Sequence, residues 1–136
     1  MEIKQHNQVV FYQKIGELFY AMAAVDNVVR VKEYEALKNL VLTEWTSIDE
    51  YKDEFDTDAV FQMEIVFEWF EYEDMDAEQC FDDFKEFYKE HPSLFTQKRK
   101  DLIWRTVNAI ANAFAGTNKA ELIMLTQLHL LMQDKA

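Results

Sequence analysis

Three acidic residues stand where the chain turns from one helical run into the next. Asp26 and Glu33 flank Asn27-Val28-Val29-Arg30-Val31-Lys32, between two apolar stretches. Glu121 opens the last stretch, just after Ala115-Gly116-Thr117-Asn118. Carboxylates and turn carbonyls are hard oxygen donors, the kind that calcium, magnesium and manganese take. Asp26 closes a helix, where the helix dipole disfavours negative charge, and a cation would offset that cost. The plainer reading is capping, with Asp26 holding the turn after it and Glu33 supporting the first turn of the next helix. The stretch is no EF-hand loop, since it lacks the D-x-D-x-D-G spacing and the glutamate at its twelfth position.

A second set of carboxylates, Glu64, Glu68 and Glu71, repeats at i, i+4 and i+7, with Asp82, Asp83 and Glu86 further on. A di-iron carboxylate bundle needs Glu-x-x-His pairs, and none occurs in these two stretches. The expectation is a solvated acidic face, or a patch that binds a protein partner. The histidines, His6, His91 and His129, are far apart in sequence, and His129 falls on an apolar line, as a packed core histidine does. The single cysteine, Cys80, excludes an internal disulfide and reads as a buried thiol. No nucleophile elbow, cysteine–histidine pairing or glycine-rich phosphate loop is present. The chain is therefore expected not to be an enzyme.

The elements that must position these residues are helices. Only two glycines and one proline occur in 136 residues, too few for the turns of a sheet. The length fits one domain spanning residues 1–136. Of the net charge of -12, the excess lies in the middle: residues 44–91 hold 18 acidic and three basic residues. Such a field repels nucleic acid and anionic membrane and attracts cations or basic partners. Lys98-Arg99-Lys100 is the only basic cluster and reads as a solvated helix start. No apolar run reaches the roughly 18 residues of a membrane span. The first residues lack the order of a signal peptide, so a cytoplasmic location is expected.

Residues 9–25 carry an apolar stripe at 11, 15, 18, 19 and 22, which predicts a half-buried helix with Gly16 at a close crossing. A second helix follows from Val31 or Lys32 to about Trp45. Ser47 and Glu50 fit a capping box for a short helix, and Asp56 or Thr57 can cap a third that runs to about Tyr72. In that third helix Phe61, Ile65, Trp69 and Tyr72 mark one apolar face. Asp76 with Gln79 predicts the start of a fourth, which Pro92 ends after Glu90. A fifth begins between Leu94 and Gln97 and runs to about Ala115, with Gly116 as its stop. Asn118 with Glu121 opens the sixth, whose apolar line is Leu122, Leu125, His129 and Met132. Laying Ala24-Val25-Asp26-Asn27 over Ala113-Phe114-Ala115-Gly116 brings Glu33 onto Glu121 with one residue deleted. The expected fold is all-α, a compact bundle of about six to seven helices with an internal pseudo-repeat of helical hairpins.

The stretch from Leu18 to Leu37 resembles the TerB-like proteins, named for tellurite resistance. Their signature is an apolar helix ending in alanines, an Asp-Gly turn, a short apolar link and a glutamate that opens the next helix. Ala109 to Leu125 is similar to the second copy found in that family. The resemblance implies a compact all-helical fold with internal pseudo-symmetry. It also implies a divalent-cation site (calcium, magnesium or manganese) on Asp26, Glu33 and Glu121, and a role in bacterial stress or resistance as a partner-binding module. Asn27 replaces the turn glycine, Arg30 a capping serine and Ala115 a second aspartate. An alternative rests on the central helices alone: a protein–protein interaction module in which Glu64, Glu68 and Glu71 meet the partner.

Overall fold

A computed structural model describes residues 2–48, 59–113 and 117–133, with side chains from residue 7 onward. Among the described residues six principal helices form a compact all-α bundle: α1 (Glu2–Ala24), α2 (Val31–Leu40), α3 (Gln62–Tyr72), α4 (Ala77–Glu90), α5 (Gln97–Asn112) and α6 (Lys119–Gln133). A π-helical turn, Val41–Trp45, extends α2 and leads into Thr46–Ile48. No strand occurs among the described residues.

Helix α1 is the axis. It packs most extensively on α3 and α4, then on α5, while α2 lies mainly on α5. From Leu18 to Ala23 every side chain is buried, so this half of α1 is enclosed on all sides rather than half-buried. The cause is its composition, an unbroken apolar run from Leu18 to Val25, which suits a helix with neighbours all round. Gly16 sits at the crossing with α3; a Cβ there would stand 2.8 Å from the carbonyl oxygen of Met63. Trp45, at the end of the π turn, is fully buried and donates its indole N–H to Thr106 Oγ1 at 3.0 Å, tying α2 to α5.

Three expected faces differ. On α3 the buried residues are Met63 and Phe67, and Ile65, Trp69 and Tyr72 point to solvent. Helix α3 is apolar around all but its Glu64, Glu68 and Glu71 line, so periodicity does not distinguish its inner face from its outer one. On α6 the inward line is Glu121, Met124, Leu125 and Leu128. Leu122 and His129 are exposed, and His129 rests beside the Trp104 ring at 5.3 Å. In the basic cluster Arg99 is buried: it donates to Leu94 O at 2.8 Å and to Gln8 Oε1, and lies over the Phe11 ring. A guanidinium can be buried there because its donors are met by oxygens and its face by an aromatic ring.

Helix ends follow local chemistry closely. Asp76 caps α4 by accepting from Gln79 N at 2.9 Å, but the Gln79 side chain turns away to Asp83, so the expected box is half formed. Thr96 caps α5 by accepting from Arg99 N. The expected features at Glu50, Asp56, Thr57 and Gly116 fall outside the described residues.

Candidate functional site

The junction after α1 is a tight turn. Asn27 N donates to Ala24 O at 2.8 Å, and Asn27 takes a φ of 70°, which asparagine tolerates in place of glycine. Asp26 Oδ1 accepts from Val28 N at 3.1 Å, fixing the exit. Arg30 is the residue before α2. Its side chain has no acceptor, so capping falls to Glu33, whose Oε1 accepts from Arg30 N at 2.8 Å. Helix α6 opens with the reciprocal form: Asn118 N donates to Glu121 Oε1 at 3.0 Å, and Glu121 N to Asn118 Oδ1 at 2.9 Å.

The fold brings these two helix starts together. Asn118 Nδ2 donates to Asp26 Oδ2 at 2.8 Å across 92 residues of sequence. The carboxyl groups of Glu33 and Glu121, each 1% exposed, meet through a hydrogen bond. Asp26 and Glu33 of the first junction and Glu121, distant from both in sequence, therefore belong to one cluster. Sequence reasoning missed its other two members. Arg30 Nη1 lies 2.9 Å from Asp26 Oδ2 and 3.9 Å from Glu33 Oε2, and Asn118 bridges the two junctions.

Electrostatics divides the cluster. Burial, opposed by the Arg30 amide and reinforced by the facing Glu121 carboxyl, raises the pKa of Glu33 above the usual carboxylate range. Burial also works to raise Asp26. Hydrogen bonds from the Arg30 guanidinium, the Val28 amide and Asn118 outweigh it and hold Asp26 below its ordinary value. The positive charge facing these acids comes from the chain itself: the Arg30 guanidinium and the N-terminal ends of α2 and α6. Among the described residues, no three acidic, histidine or cysteine side chains are grouped so as to hold a metal ion.

The second candidate region is the outer face of α3. Ile65, Trp69 and Tyr72 are 53%, 58% and 73% exposed, at i, i+4 and i+7, and Met75 beyond them is 40% exposed. The Trp69 and Tyr72 rings stack with centroids 6.0 Å apart. Glu64, Glu68 and Glu71 run beside this line, one residue earlier in each turn. Glu64 and Glu68 face α2, where Lys38 lies near Glu64 and the Tyr34 hydroxyl bonds to Glu68. At the C-terminal end of α3 a cleft of about 450 Å³ is lined by Tyr20, Asn27, Glu71, Asp74 and Asp76, among others. Tyr20 donates to Met75 O at 2.7 Å and forms part of its floor.

Glu17, on α1 against α4, is pushed up to about 7, by burial first; Lys14 opposes the shift and Asp83 adds to it. The buried Cys80 thiol is pushed up to about 12, chiefly by burial with Glu17 and Asp83 nearby, which leaves it a poor nucleophile. No helix among the described residues is long and apolar enough to cross a membrane. Comparison with protein-family models, with curated proteins and with solved structures finds no match to this chain.

Proposed function

We propose that this chain is a protein-interaction module and that the outer face of α3 is its binding surface. The observation that supports the reading is the exposed apolar line Ile65, Trp69 and Tyr72. Scattered exposed apolar residues are ordinary on a protein surface, whereas a contiguous aromatic patch rimmed by charge marks a site of association. Tryptophan and tyrosine carry much of the binding energy at interfaces, because each buries a large area at little conformational cost. The junction of Asp26, Arg30, Glu33, Asn118 and Glu121 serves the fold in this reading, holding α2 and α6 together beneath the turn after α1.

The test is a selection of binding peptides from a displayed random library against the wild-type protein alone, with the selected ligands then titrated against the double variant Trp69→Ser, Tyr72→Ser. Both residues are exposed, so the variant is expected to fold with an unchanged far-UV circular dichroism spectrum. Selected ligands are expected to bind the wild type at least tenfold more tightly than the variant. Ligands that bind both proteins equally refute the assignment of the surface.

A further inference from the structure

Resting on that reading, we propose that the partner segment docked on α3 is an amphipathic helix whose polar edge carries arginine, with its most basic end over the cleft at Glu71, Asp74 and Asp76. The geometry of the apolar line sets the shape of the occupant. Ile65 to Tyr72 spans two turns, about 10 Å at 1.5 Å per residue, and a helix lying along it presents anchors at i, i+3 or i+4, and i+7.

The charge is one-sided. Glu64, Glu68 and Glu71 border the line along its length, and Asp74 and Asp76 extend the acidic edge past the end of α3. Among the described residues, none of these five makes an ion pair within 4 Å, although Lys38 faces Glu64. The carbonyl end of α3 adds partial negative charge at the same place. Arginine rather than lysine follows from the stacked Trp69 and Tyr72 rings, whose faces suit a planar guanidinium while its N–H groups reach neighbouring carboxylates.

A second copy of this chain does not supply that chemistry. Residues 44–91 of each copy bring 18 acidic residues against three basic ones. The only basic cluster spends Arg99 inside the core and sets Lys100 over the Tyr88 ring. An anionic lipid surface is repelled by the same field.

The experiment uses three synthetic 15-residue helical peptides with one apolar line and Arg, Lys or Gln at the flanking positions, titrated by fluorescence anisotropy. The expected order of affinity is Arg, then Lys several-fold weaker, then Gln at least tenfold weaker than Arg. Raising the salt should narrow the range. The variant Glu68→Gln, Glu71→Gln, Asp74→Asn is expected to bind the Gln peptide as the wild type does and to lose the preference for Arg. Equal binding of the Arg and Gln peptides to the wild type, or an Arg preference that survives in the variant, overturns the basic partner and leaves the α3 surface standing. Binding that ignores Trp69→Ser overturns both. A dimer of the protein alone in sedimentation, dissolved by Trp69→Ser, replaces the basic helix with a second copy.

Discussion

Replacing Glu33 with glutamine should stabilise this protein at alkaline pH, although Glu33 caps a helix. The side chain is 1% exposed and does two things: its Oε1 accepts from Arg30 N at 2.8 Å, and its carboxyl meets that of Glu121. A glutamine carbonyl keeps the first contact, and its NH₂ group donates to the Glu121 carboxylate in the second. What is lost is a charge that burial and a like neighbour disfavour. Each unit by which the fold raises a carboxyl pKa costs about 1.4 kcal/mol once the pH exceeds the folded value.

A gain on the order of 1–3 kcal/mol at pH 8 follows for Glu33→Gln, or about 3–10 °C in melting temperature for a chain of this size. At pH 4.5, below the raised pKa of Glu33, the two proteins should melt together. Glu33→Ala is the control. It leaves the Arg30 N–H without its acceptor and opens a void, at a cost of about 2–4 kcal/mol. Thermal melts of the three proteins at pH 4.5 and 8 decide the matter. If Glu33→Gln melts below wild type at pH 8, the ionised carboxylate gains more from Arg30 and the α2 N-terminus than burial takes away, and the reasoning is wrong.

Gly16→Ala should lower stability by about 1–3 kcal/mol in urea unfolding, because its Cβ would meet the α3 backbone at Met63; an unchanged midpoint would mean that α1 and α3 do not cross so closely. Glu17, raised to about 7, keeps a proton in the folded state that the unfolded chain has released above about 4.5. Its favourable contribution is therefore complete below pH 4.5 and is lost as pH rises to 7, so Glu17→Gln should match wild type at pH 4.5 and melt higher at pH 8. Arg30→Ala removes the guanidinium that faces Asp26 and Glu33; the variant should melt lower than wild type in metal-free buffer and gain more from millimolar calcium than wild type does.

The helix scaffold was legible because helix ends and helix stripes are local. Asp76 and Asn118 cap where their side chains predict, α3 stops at Tyr72 and α4 at Glu90 before Pro92, and the α1 stripe at Phe11, Ile15, Leu18, Phe19 and Met22 is wholly buried. Glutamates placed three residues after Arg30 and Asn118 were recognisable as helix openers for the same reason. Their meeting was not, since it depends on how α2 and α6 pack. Arg30 offers no capping acceptor, and nothing in its immediate neighbours in sequence marks it as the cation of a cluster closed from residue 118.

The α3 face shows where pattern reading stops and why that point coincides with the proposed site. A stripe is visible only against a polar background, and in α3 that background is one narrow line, Glu64, Glu68 and Glu71, with Gln62 at the start. Ile65, Trp69 and Tyr72 are as apolar as Met63 and Phe67, so periodicity offers two inward faces and the packing of α1 selects one. Met63 is the one that meets Gly16, where the missing side chain lets the helices approach. That contact fixes the rotation of α3 and turns Trp69 and Tyr72 outward. An apolar line left over after the core is full has no folding role to explain it. Acids beside it oppose burial against the rest of this strongly acidic chain. The conflict between local pattern and final exposure is therefore itself the signal, of the kind expected where a surface is shaped for a partner rather than for the fold.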